Sequence, residues 1–115
     1  MTNDTQNQTS NPQPPISVQQ LKDIIKSGKT TLLDVRRKTD YEAAPAKIPG
    51  AVWSDPEQVD QWRGELPTDG TTIIYCVRGG SVSQSVCKQL GDSGLAVTYL
   101  DGGLKAWTDQ GEDVE

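Results

Sequence analysis

Cys76 ends an apolar run, Thr71-Thr72-Ile73-Ile74-Tyr75-Cys76, and Val77-Arg78-Gly79-Gly80-Ser81-Val82-Ser83 follows it. A thiol attacks as its thiolate, so the surroundings of this cysteine must favour a negative charge. Two adjacent glycines allow φ > 0 and can turn successive N–H groups inward as an anion-binding nest. A helix beginning just after them points its free N–H groups and partial positive charge into the same space. Arg78 adds a formal cation. Cys76 is therefore expected to be a thiolate nucleophile, and the same donors would hold a persulfide or the oxygens of an anionic substrate. The chain has no histidine. A Cys-His dyad, a Ser-His-Asp triad and most zinc sites are excluded by that alone.

The remaining polar and reactive residues have plainer readings. Cys87 is expected to be a packed small residue in the following helix, roughly 16 Å of helical rise from the loop. Arg36 follows a strand end and is expected to pair with Asp34 for structure, with substrate binding as its second reading. Ser81 and Ser83 are natural helix-start residues, so Ser81 reads first as a cap. Asp34 and Asp101, at strand ends, read as turn or cap residues. Trp53, Trp62 and Trp107 read as core or interface aromatics.

The elements that must position Cys76 follow from pattern. Ser17 with Gln20 forms a capping box, and Val18, Leu21, Ile24 and Ile25 recur at helical spacing until Gly28. Thr30 to Val35 reads as a buried strand. Ile48-Pro49-Gly50-Ala51-Val52 reads as a turn entering an extended piece, and Asp55-Pro56-Glu57-Gln58 as a helix start. Thr71 to Cys76 lacks polar alternation, as expected of a central strand in a parallel sheet covered on both faces. Val82, Val86 and Leu90 mark one face of a helix. Ala96 to Leu100 is the last strand, and Asp101-Gly102-Gly103 turns it into a helix carrying Leu104 and Trp107, closed by Gly111. Strands alternating with helices predict an α/β fold with a mainly parallel sheet, helices on both faces, and a ligand site beyond the strands' carboxyl ends.

The 115 residues suit one domain. Met1 to Pro15 is rich in Asn, Gln, Thr, Ser and Pro and reads as a disordered polar tail, leaving residues 16–115 as the domain. That tail lacks the basic and apolar parts of a signal peptide, and no apolar run is long enough for a membrane span. The expectation is a cytoplasmic monomer, with both cysteines kept as thiols. A net charge of −5 argues against a nucleic-acid partner.

Four motifs in order resemble the rhodanese family. They are the Cys76 loop with Gly79 three positions on, Leu33-Asp34-Val35-Arg36 followed by Tyr41-Glu42, Ile48-Pro49-Gly50-Ala51, and Leu100-Asp101-Gly102-Gly103-Leu104-Lys105-Ala106-Trp107. Together they cover nearly all of the chain after the tail. The resemblance implies a rhodanese-like sulfurtransferase that takes the outer sulfur of thiosulfate onto Cys76 as a persulfide. The acceptor would be cyanide, a thiol or a protein. It implies no metal and no organic cofactor, and a substrate loop formed by Val77, Arg78, Gly79, Gly80, Ser81 and Val82, with Arg36 beside it.

The chain departs from the family at three places. Ser81 stands where many relatives carry an arginine five residues after the cysteine, and the loop's cation is Arg78 instead. Ala46-Lys47 replaces the usual Gly-His before Ile-Pro-Gly-Ala. Val82 stands where related phosphatases and arsenate reductases need an arginine to clamp the oxyanion. Two other functions follow from these features. One is a sulfur-relay module loaded by another protein. The other is a thiol redox or reductase chemistry with Cys87 as the resolving thiol.

Overall fold

The capping box forms as the sequence implies: the Gln20 N–H donates to Ser17 Oγ at 3.1 Å, and the Ser17 N–H donates to Gln20 Oε1 at 2.8 Å. These contacts open helix α1, Val18–Ser27, which Gly28 closes in the left-handed conformation at φ 77°. The structure is a computed structural model that describes residues 14–28, 30–67 and 70–115. Most of the expected polar tail lies outside the described residues. Its end, Pro14, accepts a hydrogen bond from the Thr98 hydroxyl, and Ile16 bridges to Leu100.

Four strands follow: β1 Thr31–Asp34, β2 Val52–Trp53, β3 Thr72–Tyr75 and β4 Val97–Tyr99. They form one parallel sheet in the order β2-β1-β3-β4. Every residue of β3 is buried, as a central strand covered on both faces requires. Side chains alternate between two cores. Leu32, Ile73 and Tyr75 pack with Val18, Leu21 and Trp107, beneath α1 and the last helix. Leu33, Ile74 and Cys76 pack with Val59, Val86 and Leu90, beneath the helices of the other face. The sheet is thus covered on both sides, and α/β with a parallel sheet is the observed class.

Between β1 and β2 lies α2, Lys38–Ala43, which hydrophobic periodicity does not reveal because none of its residues is buried. The helix start at Asp55 is a short 3-10 turn, Pro56–Gln58, that leads into α3, Val59–Trp62; the Asp55 carboxylate accepts from the Glu57 N–H at 2.9 Å. After β3 come α4, Ser81–Asp92, and, after β4, α5, Gly103–Asp109. No helix among the described residues is long and apolar enough to cross a membrane.

Candidate active site

Cys76 is the first residue after β3, at the carboxyl end of the central strand, and is 5% exposed. The two peptides that follow are fixed by α5. The Leu104 N–H donates to the Cys76 carbonyl at 2.9 Å, and the Lys105 N–H donates to the Val77 carbonyl at 2.9 Å. In a trans peptide the C=O and N–H point in opposite directions. Anchoring these carbonyls on α5 therefore turns the N–H groups of Val77 and Arg78 away from it. The N–H groups of Val77, Arg78, Gly79 and Gly80 donate to no backbone carbonyl among the described residues. Those in the first turn of α4 have no intrahelical partner either. The loop that follows the thiol thus carries a run of unpaired donors, the kind of group an anion needs.

Only one of the two loop glycines adopts the left-handed conformation: Gly79 has φ 70°, whereas Gly80 has φ −90° and caps α4. The cap corrects the reading of Ser81, which is the first residue inside the helix and makes no capping bond. Gly79 is also needed for space, since a Cβ there would lie 2.8 Å from the Gly102 nitrogen and 2.9 Å from the Leu100 oxygen. The Gly102-Gly103 turn, expected only to start a helix, is therefore the floor beneath the Cys76 loop. Adjacent glycines are the sequence signal for such a close backbone approach.

A cleft of about 230 Å³ opens above the thiol. Cys76, Val77, Arg78, Gly80, Ser81 and Val82 line it, so the structure brings together all the expected loop residues except Gly79. Arg78 is exposed at its rim.

Arg36 also borders this cleft, but its guanidinium is engaged elsewhere. Its Nε lies 3.0 and 2.9 Å from the two Asp34 carboxylate oxygens, and an Nη atom lies 2.7 Å from one of them. Its other donors reach the carbonyls of Ala44 at 2.7 Å and Ala46 at 3.1 Å. Both partners are buried. Arg36 thus neutralises Asp34 and ties the segment after α2 to β1. Asp34 is more than a turn residue, since it also accepts from the Tyr75 hydroxyl at 3.2 Å, which in turn accepts from the Ile48 N–H at 3.1 Å. Burial, and then the Asp34 charge, push the Tyr75 phenol well above its ordinary range. The Tyr41 ring covers the Arg36 guanidinium and stacks on Trp53 at 4.8 Å.

Two residues that the sequence does not single out, Arg37 and Asp40, line the cleft from the segment after β1. Cys87 is closer to the site than helical rise from Cys76 suggests, because α4 begins only at Ser81 and runs back over the sheet. Both cysteines belong to one core cluster. Burial, and then the neighbouring Cys76, push the Cys87 thiol up to about 12, which keeps it protonated and inert near neutrality.

The family model of the rhodanese-like domain matches residues 17–110, nearly the whole described chain. This chain belongs to the rhodanese-like family. A rhodanese-related protein from Thermoplasma volcanium has the same fold, with a TM-score of 0.77 at 22% identity over 90% of this chain and 98% of that one. The thiosulfate sulfurtransferase of Pseudomonas aeruginosa superposes with a TM-score of 0.76 at 28% identity, over 91% of this rhodanese-like chain but 20% of its own. The tRNA 2-selenouridine synthase of Shewanella loihica is 38% identical over 50 residues, which are 44% of this chain and 13% of the synthase. The rhodanese-like domain here therefore spans only a small part of the curated relatives it matches. The family is a sulfurtransferase superfamily, and the fold puts Cys76 at the carboxyl end of its central strand.

Proposed function

We propose that this domain transfers sulfane sulfur through a persulfide on Cys76. The Cys76 thiolate attacks the outer sulfur of thiosulfate. That sulfur's bond to the sulfonate sulfur breaks, and its electron pair leaves with sulfite. The outer sulfur stays on Cys76 as an anionic persulfide, stabilised by the unpaired N–H groups of the loop and of α4. An acceptor thiolate or cyanide then takes this sulfur and returns the Cys76 thiolate. No external base, metal or cofactor enters either step. The single observation that carries this reading is the anchoring of the Cys76 and Val77 carbonyls on α5, which aims the loop amides away from it. Its test is turnover: wild-type protein is to form thiocyanate from thiosulfate and cyanide, and Cys76→Ser none. Equal rates in the two proteins would refute it.

A relay module loaded by a partner protein is the second reading. The loop favours it, because Ser81 occupies the arginine position common in the family and the rim cation Arg78 is exposed. The partial likeness to a tRNA 2-selenouridine synthase also suits a domain that works beside other catalytic parts. Weak thiocyanate formation together with rapid sulfur uptake from a cysteine desulfurase would select this reading over the first. In either case the folded unit is residues 16–115 with a polar tail before it, acting as a monomer in the cytoplasm. Its two buried, unbridged cysteines suit a reducing compartment.

A further inference from the structure

A second cleft, of about 250 Å³, lies along the start of α4 and is lined by Arg37, Pro56, Glu57, Ser81, Val82 and Ser85. It shares Arg37, Ser81 and Val82 with the cleft over Cys76, so the two adjoin at those three residues. Arg37 is the cation at the junction. It is exposed, makes no side-chain capping bond at α2, and has no ion-pair partner among the described residues. Arg36 beside it is neutralised by Asp34, so it does not compete for an anion. The acids in the two clefts are Asp40 near Cys76 and Glu57 at the far side.

The chemistry of sulfur transfer gives this junction a use. An acceptor must bring its thiolate to the outer sulfur at Cys76, and the rest of the molecule must leave by some route. The adjoining cleft, past Arg37 and Val82 and lined by Ser81 and Ser85, offers room for it. We propose that Arg37 selects the sulfur acceptor, favouring a low-molecular-weight thiol that carries a carboxylate close to its sulfur and lies across the two clefts. This rests on the persulfide reading above. The acceptor thiolate attacks the outer sulfur of the Cys76 persulfide anion. The bond to the Cys76 sulfur breaks with its electron pair going to Cys76 as thiolate, and the acceptor leaves as its own persulfide anion. The Arg37 guanidinium holds the carboxylate during this exchange. Glu57 at the far end disfavours a second carboxylate.

Mercaptoacetate and mercaptoethanol test it, since they differ chiefly in the carboxylate. Wild-type and Arg37→Gln proteins are loaded with thiosulfate and freed of excess, and loss of persulfide is followed by mass with each thiol. The mercaptoacetate-to-mercaptoethanol rate ratio is expected to fall roughly threefold to fivefold in Arg37→Gln, the size of an exposed charge interaction. It should recover in part in Arg37→Lys, which keeps the charge. The same ratio in wild type and Arg37→Gln would overturn the assignment. A second readout needs no persulfide: the rate of Cys76 alkylation by iodoacetate relative to iodoacetamide should fall similarly in Arg37→Gln. Failure of wild type to load sulfur counts against the persulfide reading, whereas an unchanged alkylation ratio counts against Arg37.

Discussion

Gly103 lies so close beneath Cys76 that a Cβ on it would sit 2.5 Å from the Cys76 carbonyl oxygen, with the Gly79 and Arg78 nitrogens at 2.6 and 2.7 Å. All three atoms are backbone, so no side chain can move aside. Gly103 also holds φ 62°. Gly103→Ala is expected to cost about 2 to 4 kcal/mol, combining left-handed strain with overpacking. Gly80→Ala, with open space around it and negative φ, should change stability by less than about 1 kcal/mol. Urea midpoints of the two variants check the contrast, and equal losses would mean that α5 does not support the loop.

The buried Asp34–Arg36 pair joins β1 to the segment after α2. Asp34→Ala would leave the guanidinium buried without a counter-charge and the Tyr75 hydroxyl without its acceptor. The expected loss is about 3 to 5 kcal/mol, measured by denaturant unfolding. A loss below about 1 kcal/mol would show that water reaches Arg36.

Alkaline pH should weaken the fold. Burial raises the Cys87 thiol from 9.0 to about 12 and also raises the Tyr75 phenol. Above about pH 9 the unfolded chain releases the thiol proton while the folded chain keeps it. The contribution is complete below that pH and is lost as pH rises towards 12. Each such group steepens the decline by about 1.4 kcal/mol per pH unit. Cys87→Ala should therefore flatten the stability profile between about pH 9 and 11 by one proton equivalent, and an unchanged slope would contradict the raised value.

Ser83 is buried and its hydroxyl has no hydrogen-bond partner among the described residues. An unpaired buried hydroxyl opposes folding, so Ser83→Ala should stabilise the protein by about 1 kcal/mol. Thermal unfolding reads this directly. A destabilisation would mean that the hydroxyl is bonded in solution.

The parts legible in the sequence were those written in local pattern. Ser17 to Gly28 carries a capping box, an apolar face and a glycine stop, and Thr72 to Tyr75 lacks the polar alternation of a half-exposed strand. The place of Cys76 at a strand end before a glycine turn and a helix was legible because those features are contiguous. What could not be read depends on distant partners or on missing pattern. Asp34 is buried because Tyr75, far along the chain, and Arg36 satisfy it. Helix α2 buries nothing, so it leaves no periodic trace. Ser81 was misread because a cap is decided by backbone conformation, and Gly80 takes that place. Arg37 gave no sign, since an exposed arginine beside a buried one looks alike until Asp34 chooses between them.

The central claim is sulfur on Cys76. Intact mass spectrometry after incubation with thiosulfate and removal of excess tests it most directly. Wild-type protein is expected to gain the mass of one sulfur atom, lost again on adding cyanide, and Cys76→Ser none. No gain in wild type, or the same gain in both proteins, would contradict it.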